Sequence, residues 1–320
     1  MALLPRKIGR FTLLHSVGDD GVTELYDGIQ DGSGGNTVII RRVLPHILRN
    51  PELSRIVSDR IADLLPIRDP SILTFLEYIE HNNEHYIISE WSDSVSLERI
   101  IEWCKQTGTQ IPNNVFLHIV THMCRGFDAL HRTPGAQTDS DAVLHLGVMP
   151  SAFRVERDGQ VRLAHFGLVS SPANTLHTGG YALRVGYLSP EQTRANPVLS
   201  PASDLFCFGA VLYELLMLKP MFSESSPLRT IAQIRTAQVT TQLLEVKEIL
   251  PGLDRVLYRA LSRNPRHRYP KAFVLREDLR GLMAGYSFSN IERETQNFLE
   301  PLFRGSRRAI DDILPLPNLE

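Results

Sequence analysis

The apolar residues of this chain change period close to Trp91, and that change constrains the fold more than any other feature of the sequence. Before it, apolar positions fall in short runs broken by turn residues: Phe11 to Val17, Glu24 to Gln30, the β-branched run Thr37-Val38-Ile39-Ile40, and His85 to Ser89. These spacings predict strands. One helical segment interrupts them, opened by Asn50-Pro51-Glu52 and carried by Leu53, Ile56, Val57, Ile61, Leu64 and Leu65 until Pro66. After Trp91 the period is helical at Leu97 to Lys105, Val115 to His131, Ala202 to Leu218, Pro227 to Thr236, Gly252 to Ser262 and Ala272 to Ala284. Strand spacing returns once, at Ala152 to Leu163, on either side of the hairpin-turn dipeptide Asp158-Gly159. The polar run Thr133 to Asp141 predicts a surface loop. The chain therefore reads as α+β in two lobes: a small β-rich lobe with one main helix over 10–91, a larger helical lobe over 92–284, and a tail over 285–320.

In the tail, Ile291, Phe298, Leu299, Leu302 and Phe303 share one face at helical spacing, with Pro301 expected to bend the chain ahead of the basic run Arg304 to Arg308. Docking against the chain's own helical lobe is the favoured use of that stripe; a partner-binding helix is the alternative. Hydrophobic residues make up 42% of the 320, enough to bury roughly three quarters of the chain's surface. A net charge of -2 removes the electrostatic basis for binding nucleic acid or an anionic membrane, so neither is expected as a partner. No apolar run approaches the ~18 residues of a membrane span. The start, Met1 to Lys7, lacks the pattern of a signal peptide. Cys104, Cys124 and Cys207 are too scattered for a disulfide framework, and a reducing, cytoplasmic location is expected.

Four phrases late in the chain carry a resemblance. They are Gly186-Tyr187-Leu188-Ser189-Pro190-Glu191-Gln192, Ser203-Asp204-Leu205-Phe206-Cys207-Phe208-Gly209, Leu212-Tyr213-Glu214-Leu215-Leu216, and Asn264-Pro265-Arg266-His267-Arg268-Tyr269-Pro270. In this order they resemble the serine/threonine protein kinase family, most closely its bacterial members. The resemblance implies the two-lobed protein-kinase-like fold. It also implies structural roles for His145, Phe166, Glu191, Asp204 and Arg268, with a buried Glu191–Arg268 pair anchoring the activation segment.

The family's catalytic positions read differently here. The glycine-rich loop corresponds to Gly18, Asp20, Gly21 and Thr23, with Asp20 and Thr23 replacing glycines and two carboxylates, Asp19 and Asp20, expected to repel phosphate at the tip. The strand lysine is Arg41, whose planar fork cannot simply replace an ammonium. Its helix partner falls at Arg60, or at Asp59 with a one-residue slip. In the catalytic loop His145 is kept, while Gly147, Met149 and Ala152 stand for the base, the Lys and the metal-binding Asn. His165-Phe166-Gly167 stands for the magnesium-binding D-F-G, and imidazole is a poor ligand for that hard cation. Ser89, Glu90 and Trp91 take the hinge. His145 with His165, and His118 with His122, lack a third ligand, so no metal site is expected.

From these positions the expectation is a pseudokinase: a catalytically inactive scaffold or regulator that binds protein partners, among them an active kinase or its substrate. No cofactor is expected, although the cleft leaves room for weak, metal-independent nucleotide binding. The alternatives are a nucleotide or metabolite sensor and an enzyme with rearranged nucleotide or metal binding.

Overall fold

The computed structural model describes residues 4–32, 35–135, 142–169 and 185–305. Six antiparallel strands form the first sheet: β1 (Arg6–Ile8), β2 (Phe11–Asp19), β3 (Thr23–Gln30), β4 (Thr37–Val43), β5 (Phe75–His81) and β6 (Glu84–Glu90), in the order β1-β2-β3-β4-β6-β5. Strand alternation splits β4 between two faces. Val38 and Ile40 pack with Phe11, Leu13, Tyr86 and Ile88, whereas Ile39 packs with Leu25 and Trp91. Arg41 shares the face of Ile39 and so points toward the second lobe rather than into the sheet's own core.

Between β4 and β5 lie α1 (Pro45–Arg49) and α2 (Pro51–Leu64). Asn50 explains where α2 begins: its side-chain oxygen accepts from the backbone N–H of Glu52 at 3.0 Å and of Leu53 at 3.2 Å, and Pro51 takes a first-turn position that needs no donor. Val57, Ile61 and Leu64 then bury one stripe.

The second lobe is built from α3 (Leu97–Thr107), α4 (Asn113–Arg132), α5 (Pro201–Met217), α6 (Pro227–Thr236), α7 (Thr240–Ile249), α8 (Leu253–Ala260) and α9 (Ala272–Met283). A small sheet of β7 (Ser94–Ser96), β8 (Phe153–Glu156) and β9 (Val161–Leu163) lies on it. The Asp158-Gly159 turn joins β8 to β9, and Gly159 takes a φ of 84° that a side chain would strain. Backbone hydrogen bonds of 2.8 Å from Leu73 to Leu163 and from Leu163 to Ser71 stitch this sheet to the chain leading into β5. The central helix α5 is buried nearly throughout and opens on a reciprocal Ser200–Ser203 capping box.

The strands β1, β5 and β7 and the helices α1 and α7 were not expected from the sequence. Strands β1 and β7 have three residues each, too few to show a period, and β5 is an edge strand whose side chains are mostly half-exposed. In α7 only Leu243 and Val246 are buried. The tail forms α10 (Ile291–Gly305), with Pro301 inside the helix. Leu299, Leu302 and Phe303 are buried against the lobe, Phe298 meets Trp103 edge-on at 5.5 Å, and the Arg157 guanidinium lies 4.2 Å over the Phe303 ring. The loop expected over Thr133 to Asp141 falls largely outside the described residues, as do Ser306, Arg307 and Arg308. Among the described residues, no helix is long and apolar enough to cross a membrane.

Candidate active site

Strand β4 delivers Arg41 into the space between the lobes, where its side chain is 5% exposed. Its Nη2 pairs with Asp20 Oδ2 at 2.6 Å, its Nε donates to Thr23 Oγ1 at 3.1 Å, and its Nη1 reaches the Phe166 carbonyl at 3.3 Å. Asp20 is held in turn: its Oδ1 accepts from the N–H groups of Val22 at 2.9 Å and Thr23 at 2.6 Å. The loop tip is therefore a folded Asx-type turn. The expected repulsion between two tip carboxylates and phosphate needs correction for Asp20, whose charge is turned inward and matched by Arg41. Asp19 accepts from the Gly21 N–H at 3.0 Å.

Neither Asp59 nor Arg60 is the partner of Arg41. Arg60 points inward from α2, and its guanidinium donates to backbone carbonyls: Gly167 at 3.1 Å, His145 at 3.4 Å, and Leu144. Burial pulls its pKa down to about 10, with the Asp204 and Asp63 charges opposing that fall. The helix position that faces the cleft thus carries a cation that ties α2 to the catalytic-loop backbone.

That backbone is fixed from the other side by Asp204 on α5. Its Oδ2 accepts from the His145 N–H at 2.7 Å and from His131 Nε2 at 2.9 Å, and its Oδ1 accepts from the Leu146 N–H at 3.1 Å. Burial raises the Asp204 carboxyl, but the hydrogen bonds from His131 and the His145 backbone, with the electrostatic pull of these two residues, outweigh it, so the group lies below its ordinary range. His145 Nε2 donates to the Ala164 carbonyl at 2.9 Å, and its Nδ1 accepts from the Gly147 N–H at 3.3 Å. Both ring nitrogens are engaged, and burial lowers the imidazole to about 4, so the ring is neutral at pH 7. Phe166 packs against it at a 30° tilt with centroids 4.6 Å apart and meets Phe75 at 5.7 Å.

Gly147 and Gly167 explain each other. A Cβ on Gly147 would lie 3.0 Å from the Gly167 nitrogen, and one on Gly167 would lie 2.7 Å from the Leu146 carbonyl oxygen. Two backbones cross here where a side chain would push them apart. The residues beside them, Leu146 at φ 63° and His165 at φ 52°, hold left-handed backbones without being glycine, a strain of ~1–3 kcal/mol each that the crossing imposes. Met149 and Ala152 are buried beneath the loop.

The interlobe cavity is about 30 Å³ and is lined by Ile39, Arg41, Phe75, Ser89, Trp91 and His165 among others, room for little more than a water or two. Glu90 pairs with Arg162. His118 and His122 sit elsewhere, with rings 4.4 Å apart and His122 Nδ1 bonded to the His118 carbonyl. Among the described residues, no group of three or more His, Cys, Asp or Glu side chains is placed to hold a metal. Magnesium, which the family implies, selects carboxylate oxygen; the positions that would supply its ligands carry Ala152 and His165, and this donor set does not fit it. Glu191, at the end of the activation segment, forms a bidentate pair with Arg268: Nη1 to Oε1 at 2.7 Å and Nη2 to Oε2 at 2.9 Å.

The sequence profile of the protein kinase domain matches residues 15–279. The chain belongs to the protein kinase family. It is 24% identical over 290 residues to Probable serine/threonine-protein kinase SCO3848 of Streptomyces coelicolor, covering 88% of this chain and 41% of that protein. To tyrosine-protein kinase MasK of Myxococcus xanthus it is 24% identical, covering 82% of this chain and 41% of that one. For serine/threonine-protein kinase PknB of Mycolicibacterium smegmatis the identity is 26%, covering 72% and 37%. The chain thus spans about two fifths of the length of these relatives. The crystal structure of the Mycobacterium tuberculosis PknI kinase domain has the same fold, with a TM-score of 0.65 at 18% identity over 88% of this chain and 100% of that one.

These relatives overturn the expectation of a catalytically inactive scaffold or sensor. They are named as kinases, and they point to an enzyme. The expectation failed where it passed from letters at motif positions to an absence of chemistry. A motif position says which side chain stands in a given register, but not which groups the fold carries into the cleft. The buried Asp20–Arg41 pair is the group that reasoning missed. Its only sequence signal was an Asp in the turn between β2 and β3 and an Arg on β4, and that β4 lies beside β3 with Leu25 opposite Arg41 could be read only with the register in hand.

Proposed function

We propose that this chain is the kinase portion of a bacterial serine/threonine protein kinase, which transfers a phosphoryl group from a nucleotide in the interlobe cleft to a hydroxyl of a protein substrate. The observation that carries the reading is the match to the protein kinase domain over 15–279, in a chain whose relatives are named as kinases. Phosphoryl transfer is mainly positioning and charge stabilisation. In this cleft Arg41 is the buried positive charge paired with the loop tip, and the end of β6 at Ser89 and Glu90, followed by Trp91, is the edge along which the base would lie. No step is assigned to magnesium. Nucleotide binding without a metal is the corresponding proposal; because the interlobe cavity as it stands has room for little more than a water or two, it requires the lobes to part as Arg41 leaves Asp20 for the phosphates. Three buried free thiols suit action in the cytoplasm.

The experiment is nucleotide binding and labelled-phosphate transfer by the purified chain, with and without divalent cations. Asp20→Asn, which keeps the turn's acceptor and removes the competing charge, is expected to tighten nucleotide binding. Arg41→Ala is expected to abolish both binding and transfer. Transfer that persists in Arg41→Ala at the unmutated rate, or no transfer to any protein hydroxyl while nucleotide is bound, overturns the reading.

A further inference from the structure

A second cavity, far larger than the interlobe one, shares no lining residue with it. It measures about 830 Å³ and lies where the end of α4, the start of α9 and the β8–β9 turn region meet. Four cationic side chains, Arg125, Arg132, Lys271 and Arg276, line it against two carboxylates, Asp69 and Asp128, an excess of two positive charges. The carboxylates are already committed. Asp69 Oδ1 accepts from the Ser71 N–H at 2.9 Å, and Asp128 lies 3.2 Å from Arg276 Nη1. Arg276 is further oriented by the Phe273 ring, 5.3 Å below its guanidinium. Among the described residues, the side chains of Arg125, Arg132 and Lys271 form no hydrogen bond or ion pair.

Two buried polar atoms on the same wall are also unmatched. His131 lines the cavity with its side chain 7% exposed; its Nε2 is spent on Asp204, and its Nδ1 has no partner among the described residues. Among the same residues Arg276 Nε makes no hydrogen bond, the Glu277 carboxylate lying 3.8 Å from it. A buried polar atom left unpaired costs ~1–3 kcal/mol; Arg276 Nε calls for a ligand oxygen, whereas His131 Nδ1, on a ring whose Nε2–H is given to Asp204, is an acceptor that a ligand hydroxyl would meet.

We infer that this cavity is an anion site that takes a phosphate monoester. A dianion matches the excess of two charges, and its several acceptor oxygens suit donors that converge from α4 and α9. The volume lies in the range of small-molecule pockets, ~300–1,000 Å³, larger than a bare ion needs. The phosphate can belong to a small metabolite or to a phosphorylated protein side chain, which share this chemistry. His131 links the cavity through Asp204 to the His145 backbone, so two side chains, His131 and Asp204, separate an occupant from the catalytic loop.

The test is calorimetry at about 0.15 M salt, where screening removes weak surface attraction, with O-phosphoserine and a short phosphoserine peptide as probes and their unphosphorylated forms as controls. Saturable one-to-one binding of the phosphorylated probes only is expected, weakened by at least ~tenfold, ~1.4 kcal/mol, in Arg125→Ala/Arg132→Ala/Lys271→Ala and unaffected by Arg41→Ala. Lys271→Glu alone, at an exposed position that folding does not need, is expected to weaken it as well. Equal affinity for the two probes assigns the site to a metabolite, and a much tighter peptide assigns it to a protein. Absence of saturable binding, binding unchanged in both the triple variant and Lys271→Glu, or binding abolished by Arg41→Ala overturns the inference.

Discussion

Single charges decide much of what holds this molecule together, and Arg268 is the plainest case. Its guanidinium is fully buried, pairs with both Glu191 oxygens, and donates to the carbonyls of Ala202 at 2.9 Å, Ser262 at 2.7 Å and Arg263 at 3.2 Å. Burial pushes the Glu191 carboxyl up, and the Arg268 pairing pulls it below its ordinary range. Either Glu191→Ala or Arg268→Ala strands a buried charge, and chemical denaturation is expected to show a loss of ~3–5 kcal/mol. A loss under ~1 kcal/mol from both variants would mean the pair is open to solvent. Protons test the buried histidines. His118 and His145 are both lowered from 6.5 to about 4, chiefly by burial. Between those values the unfolded chain takes up protons that the folded chain refuses, so stability falls as pH drops from about 6.5 toward 4. Below that, the depressed Asp204 and Glu191 add losses of the same sign as they protonate. Burial raises Asp128, Glu156 and Glu214, which act in the opposite direction, so the informative quantity is a difference. The urea midpoint of His118→Gln is expected to change less between pH 7 and pH 5 than that of the unmutated chain; an identical pH slope would remove His118 from the account.

At the scale of elements, α10 is the part whose period was plain and whose use was not. The stripe from Ile291 to Phe303 announces an amphipathic helix, but a stripe carries no address; only the packing places Leu299 fully inside and sets Phe298 on Trp103. Leu299→Ala is expected to cost ~2–5 kcal/mol by leaving a cavity under the helix, read as a lower urea midpoint. An unchanged midpoint would show that α10 comes and goes without the lobe. Elsewhere, legibility followed burial and length. Helices α2, α3, α4, α5, α8 and α9 were visible because each buries a stripe of three or more residues, and the Asn50 cap and the Asp158-Gly159 turn fixed boundaries by local chemistry. The short strands β1 and β7 carry too few residues to show a period, and α7 buries too few. In the cleft, residue types at motif positions were legible, whereas the contacts of Asp20, Arg41 and Arg60 were not. Each depends on strand register or helix rotation, which a list of positions does not contain.

For the molecule as a whole, the question is what couples the small lobe to the large one, and Arg60 is the main polar tie from α2. Its stem leaves a helix of the first lobe, and its head donates to carbonyls at both Leu144-His145 and Gly167, the two segments whose backbones cross at Gly147. A buried guanidinium held by carbonyls alone is costly, which its pKa of about 10 records. The fold keeps it because removal leaves those carbonyls unmet, at ~1–3 kcal/mol for each buried acceptor. Arg60→Met fills the volume without the donors. Amide exchange at Gly167, whose N–H bonds the His145 carbonyl at 2.9 Å, is then expected to quicken by about tenfold or more, with Arg60→Lys in between because one ammonium cannot span both segments. The amides of α8, remote from the tie, should keep their rates. If Gly167 exchanges at the same rate in all three chains, the lobes are held by apolar packing around Phe166 and Phe75, and Arg60 is only a buried charge that the fold tolerates.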